Sequence, residues 1–228
     1  MGRALLLALA LGATGAAAAE PKLPELKLRY AAAWNNMNLG EIVVTLKPDE
    51  QPDCYRYQSD AAPVGMVRWI YGKPRETSRF CVSGGKVVPK QFSYEARDGF
   101  TLEFDVAAGK VKDSRGQVRD LPANAQDRFG LQQAMRLWLI TNESNKDPGP
   151  VEFAMVDDDR VRVYRFAITA RERIEIPAGA FDTIRVERVD SKKRISRFWI
   201  APSRDWMPVK VESGKNGKVQ LRMELKDK

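Results

Sequence analysis

Four glutamates offer this sequence its main opportunity for acid–base chemistry. Glu76, Glu95, Glu103 and Glu172 lie in or beside apolar runs, where burial can make a carboxyl group hold its proton and act as a general acid. No defined spacing couples any two of them, so a hydrolase built on paired carboxylates is only a distant third reading, behind the two binding roles below. Glu172 occupies an inward-facing position in a strand pattern, between Arg171 and Arg173. An ion-paired structural carboxylate, or a β-bulge, explains it more simply than catalysis does. Composition removes other mechanisms. The 228 residues contain no histidine and only two cysteines, so imidazole-based nucleophilic sites and the usual zinc sites lack their essential groups. Asp157-Asp158-Asp159 lacks the glycine and distal glutamate of an EF-hand loop and reads as a solvated turn. The sequence therefore predicts neither a metal nor a cofactor, and no enzyme activity.

The elements that would position such groups follow from patterning. Residues 1–19 read as a secretory leader: Arg3 opens it, an apolar run follows, and Ala16 to Ala19 supply a small-residue cleavage site. Cleavage near Ala19 predicts a periplasmic or secreted protein of one β-rich domain, 20–228, and no later run is long enough to span a membrane. The formal net charge of +8 comes from 38 basic and 30 acidic residues, a charged surface with a basic lean. Export and the lack of interleaved exposed aromatics argue against nucleic acid.

Alternation of apolar and charged residues runs from end to end, as in Leu26, Leu28, Tyr30 or Phe100, Leu102, Phe104. Strands that are charged on one side belong to an antiparallel sheet with one wet face. Two segments break the pattern. Residues 60–72 predict a helix capped by Asp60 and stopped by Gly72, and residues 127–141 predict a second led by Asp127. In the second, Leu131, Ala134, Met135 and Trp138 form the apolar face, with Arg128, Gln132 and Arg136 opposite. The expected fold is all-β with two short helices: a strongly curved antiparallel sheet, or incomplete barrel, with the helices on its concave face. Cys54 and Cys81 lie in strand-like runs flanking the first helix, and an antiparallel pairing of those runs brings them together as a disulfide.

The C-terminal half carries recognisable motifs. IPAGAFDTIRVERV (176–189), followed by FWIAPSRDWMPVKVE (198–212), resembles the DUF3108 family of exported bacterial proteins, and the likeness extends roughly over 26–225. The strand–Trp–turn–Pro–strand arrangement is also similar to the periplasmic carrier folds of LolA and LolB, although no cysteine near the leader offers the lipid attachment of LolB. The resemblance implies an envelope protein without settled activity.

Two binding readings follow. Met66, Trp69, Met135, Trp138 and Leu139 would line an apolar concavity able to hold a lipid or another apolar ligand. Alternatively, Arg185, Arg188, Lys192, Lys193, Arg194 and Arg197 would form a basic hairpin for an anionic surface or an envelope protein partner.

Overall fold

The computed structural model describes residues 22–145 and 147–226, so the leader lies outside the described residues. The N-terminal half contributes β1 (Leu26–Trp34), β2 (Met37–Pro48), β3 (Cys54–Pro63), α1 (Gly65–Tyr71), β4 (Arg75–Ser83), β5 (Lys86–Glu95), β6 (Phe100–Asp105), β7 (Lys110–Asp113) and β8 (Val118–Asp120). Then follow β9 (Ala125–Gln126), α2 (Arg128–Thr141), β10 (Val151–Val156), β11 (Val161–Ile176), β12 (Gly179–Arg188), β13 (Arg194–Ala201), β14 (Met207–Lys215) and β15 (Lys218–Leu225).

All fifteen strands belong to one sheet, ordered β8-β7-β6-β5-β4-β3-β2-β1-β15-β14-β13-β12-β11-β10-β9. Two meanders, one running out from β1 and one running back from β15, meet where those two strands pair antiparallel. Local turn chemistry makes this possible. Asn35 and Asn36 both adopt positive φ, as do Asn216 and Gly217, and that conformation matches the right-handed twist of the strands they join. Every pairing is antiparallel except the two-residue β9 beside β10. β8 and β9 are the sheet's two edges, and they do not pair, so the barrel stays open.

Inside lie two hydrophobic clusters. The larger gathers Leu46, Phe80, Phe92, Leu102 and Val209 among others, and the smaller gathers Phe153, Phe166, Ile184, Val186 and Ile200. α2 serves both: Phe129 and Leu137 enter the first, Leu131, Met135 and Leu139 the second. A helix flanked by two cores keeps little of its surface wet, and only Thr141 at its end is exposed. The polar face expected for Arg128, Gln132 and Arg136 is accordingly put to internal use, and Arg136 is only 2% exposed.

α1 departs from expectation. Asp60 does not cap it, because the strand pairing of β3 runs on to Pro63 and the Asp60 carboxylate accepts from Arg75 (2.6 Å) and Gln58 (2.6 Å). The helix starts only at Gly65, behind Val64, without a side-chain cap. It is also not covered by the sheet: Met66 is 77% and Trp69 91% exposed.

Cys54 and Cys81 face each other across β3 and β4 and form the expected disulfide, at the end of this hairpin opposite α1. The bond closes a loop between residues 27 apart in sequence, which constrains the unfolded chain by ~3.5 kcal/mol. The Cys54→Ser/Cys81→Ser variant should fold to the same sheet and lose about that much stability in urea titration. An unchanged midpoint under oxidising conditions would show that the bond contributes nothing.

Candidate functional site

The start of α2 gathers several polar groups in and around the core. Asp127 is fully buried and caps the helix, its Oδ1 accepting from the N–H groups of Phe129 (2.8 Å) and Gly130 (2.9 Å). Its other oxygen accepts from the Ser78 hydroxyl of β4 at 2.7 Å. Arg128 reaches two ways, donating to Glu76 on β4 (2.6 Å) and to Asp157 between β10 and β11 (3.0 Å). Further along α2, Gln132 accepts from the Tyr57 hydroxyl (3.2 Å) and Arg136 donates to Gln133 (3.2 Å). Burial raises the proton affinity of Asp127, offset by the N–H donors and Ser78; it does the same for Glu76, offset by Arg128. Burial conversely lowers the pKa of Arg136 below the arginine range, offset by the charge of Asp205 and by Tyr57.

The triple aspartate is thus no idle turn. Besides Asp157, Asp158 accepts from Arg115 in the turn between β7 and β8 (2.7 Å), and Arg119 of β8 donates to the Asp157 carbonyl (3.4 Å). The two ends of the sheet order are held together here by side chains in place of strand pairing. The sequence signal was available in Arg115, Arg119 and the acidic triplet, but nothing short of the topology brings them together.

The four glutamates are not assembled into one acid–base site. Glu76 serves Arg128, whereas Glu95 and Glu103 are exposed on β5 and β6. Glu172 on β11 accepts from Arg185 (3.0 Å) and from the Trp199 indole (2.9 Å). Its strand does carry a bulge, between Ile168 and Ala170. Among the described residues, no acid or cysteine cluster is disposed to hold a metal ion.

The five apolar candidates are divided as well. Met135 and Leu139 are packed into the core with Trp138 beside them, while Met66 and Trp69 project from α1 into solvent. The interior around Met135 and Leu139 is filled by Phe153, Tyr164, Phe166 and Ile200.

The six basic candidates separate into two groups. Arg185 pairs with Glu172 and Glu187, Arg197 with Glu187 and Glu212, and Arg188 with Asp190 while lying over the Tyr164 ring. Arg185 and Arg197 belong to a charge ladder across the sheet that Lys210, Arg222 and Glu224 continue. Lys192, Lys193 and Arg194 instead stand exposed at the turn from β12 to β13. The register of β13 with β14 and of β14 with β15 places Lys215 and Lys218 at the same end. The β1–β2 turn and the α1 arch lie there too, since Trp34 pairs with Leu221 and Gly40 with Pro63. Backbone bonds stitch this rim together: Asn216 to Lys193 (2.7 Å), Asn35 to Gln220 (2.7 Å) and Val64 to Leu39 (3.0 Å). Beside it, on the sheet, opens a cleft of about 620 Å³ that Ala31, Ala33, Ala62 and Val64 help to line. The described residues contain no helix long and apolar enough to cross a membrane.

An open β-barrel-like sheet with a buried helix and one rim of exposed apolar and basic tips defines the class structurally. The chain belongs to the family of proteins of unknown function DUF3108, whose model matches residues 29–226. Among solved structures it is similar to a beta-barrel-like protein of the domain of unknown function DUF1849 from Brucella abortus. There the TM-score is 0.54 at 12% identity, over 92% of this chain and 98% of that one. A putative exported protein with a YmcC-like fold from Bacteroides fragilis matches at a TM-score of 0.39 and 13% identity, over 91% of this chain and 96% of that one. No curated protein matches the sequence.

The buried cap gives a pH test. An acid whose pKa is raised by folding contributes its stability fully below the unfolded value, about 3.9 for aspartate, and loses it as pH rises through the folded value. Asparagine caps helices equally well without the charge. The stability of the wild type relative to Asp127→Asn should therefore shrink as pH is raised from about 3 to about 7 in paired urea titrations. A pH-independent difference would mean that burial does not perturb Asp127.

Proposed function

We propose that this is a non-enzymatic, exported protein of the cell envelope that works by holding its basic rim against an anionic surface. The observation that carries the reading is the division among its basic side chains. Arg185, Arg188 and Arg197 are neutralised within the sheet, whereas Lys192, Lys193 and Arg194 are exposed at one end, with Lys215 and Lys218 beside them. Exposed, unneutralised charges of one sign attract an oppositely charged surface, and the attraction weakens with salt. Export rests on the leader, residues 1–19.

Carriage of an apolar ligand inside the sheet, as analogy with LolA and LolB would suggest, draws less support. The α2 residues that would line such a cavity are packed against Phe153, Phe166 and Ile200, and Met66 and Trp69 of α1 stand in solvent. An envelope protein partner at the rim is tested by the same experiment.

Sedimentation of the exported form with isolated envelope membranes tests the reading. The protein should bind at ~0.05 M salt and be released at ~0.5 M. Lys192→Ser/Lys193→Ser/Arg194→Ser should weaken binding by about tenfold or more, since each such charge near an anionic surface contributes appreciably. Binding indifferent to both salt and these substitutions would overturn the proposal.

A further inference from the structure

The rim carries more than charge. Trp34 (39% exposed), Met37 (65%), Val64 (45%), Met66 (77%), Trp69 (91%) and Ile70 (57%) all lie at the β1–β2 turn or in the arch that leads into α1. Scattered apolar side chains on a surface need no explanation, but six large ones at two adjacent tips do. We infer that this rim seats on an anionic phospholipid bilayer, with α1 and the β1–β2 tip entering the headgroup layer while the basic turns engage the lipid phosphates. The inference rests on the anionic-surface reading and names the surface.

Four connections that are consecutive along the sheet form the middle of this edge: the α1 arch, then the β1–β2, β14–β15 and β12–β13 turns. The first two are apolar and the last two basic. Flanking them are the β5–β6 turn with Glu95 and Asp98 and the β10–β11 turn with Asp157 to Asp159. Residues 64–73, Val64-Gly65-Met66-Val67-Arg68-Trp69-Ile70-Tyr71-Gly72-Lys73, contain no acid and two cations. The tip between β1 and β2 is Asn35-Asn36, polar but uncharged. Nothing on these two tips resists approach to a negative surface. Tryptophan suits the interfacial layer, which accepts an amphipathic ring, and long basic side chains reach phosphate while their stems stay apolar. Interfacial attachment of this kind adds apolar burial to electrostatic attraction, and neither half alone is strong.

The acids of the β10–β11 turn at this end are engaged: Asp157 pairs with Arg128, Asp158 with Arg115 and Asp159 with Arg160. The attraction to a negative surface therefore rests on the middle of the rim, where the apolar tips adjoin the exposed cations of the β14–β15 and β12–β13 turns. A lipid surface fits this arrangement, because the contact needs only a plane of negative charge over an apolar layer, and the tips are spread along an edge.

Flotation and tryptophan fluorescence test this on the exported form, with vesicles of phosphatidylcholine alone and with roughly a third phosphatidylglycerol. The protein should float only with the anionic vesicles, its emission should shift to the blue, and a water-soluble quencher should lose access to Trp69. Met66→Ser/Trp69→Ser alters only exposed side chains, so its melting temperature should match the wild type. It should nonetheless bind at least about tenfold more weakly and lose the spectral shift. If that variant binds anionic vesicles like the wild type and no shift occurs, the attraction is purely electrostatic; the insertion fails and the anionic-surface reading stands. Binding to envelope membranes but not to anionic vesicles would likewise overturn the lipid assignment in favour of another envelope component. Binding to neither would overturn both.

Discussion

A sheet that never closes has to hide a helix and hold its own ends together, and the start of α2 is where both demands are met. Asp127 satisfies the helix's free N–H groups and ties it to Ser78 of β4; the next residue, Arg128, spans from Glu76 to Asp157. Strand pairing alone would leave β8 and β9 as raw edges, which invite pairing with another chain. Both are very short, three and two residues, and β8 is held by Arg119 to the Asp157 carbonyl. Gln126 of β9 donates to the Val87 carbonyl of β5 at 2.9 Å, so even the smallest strand is anchored to the opposite meander. The fold thereby obtains the enclosure of a barrel without its continuous hydrogen-bond ladder.

What the sequence reveals depends on how local the determining physics is. Alternation is local, so the strands, the antiparallel sheet and the Cys54–Cys81 pairing were legible, as was Asp127 as a cap. The α1 boundary was not. A cap signal at Asp60 competes with a strand continuation that depends on β2 and on Arg75, both remote in sequence, and the pairing wins. The Arg128, Gln132 and Arg136 face misleads for a related reason. Helical periodicity separates apolar from polar residues but cannot tell solvent from a polar interior, and here the polar side chains find Tyr57, Gln133 and the acidic turn.

The same distinction governs the site. Six basic residues close together in sequence look like one patch, yet Glu172 of β11 and Glu212 of β14 neutralise Arg185 and Arg197, and Asp190 in the following turn neutralises Arg188. Those at or beyond the last paired residues, Lys192, Lys193 and Arg194, remain exposed. Met66 and Trp69 read from the sequence as the lining of an apolar concavity, because an apolar helix is normally covered. The strand-to-strand span they occupy, between Pro63 and Arg75, projects past the end of the sheet, and no core reaches that far. The five supposed cavity residues therefore fall into two unrelated environments.

This separation explains how one chain can expose an apolar helix without losing its fold. The disulfide and the Asp49 ion pairs with Arg56 and Arg79 fasten the β3–β4 region at the end away from α1. The helix itself hangs from two strands already aligned by the Asp60–Arg75 bridge and by Ala61 bonding to the Pro74 carbonyl at 3.0 Å. Its side chains contribute little to the core, so their chemistry is free of the packing constraints that fix Met135 or Leu139. A buried apolar residue is accounted for by folding; exposed ones such as Trp69 and Met66 are not. Folding leaves their apolar surface in water, so the burial energy they carry is still available to a contact outside the chain.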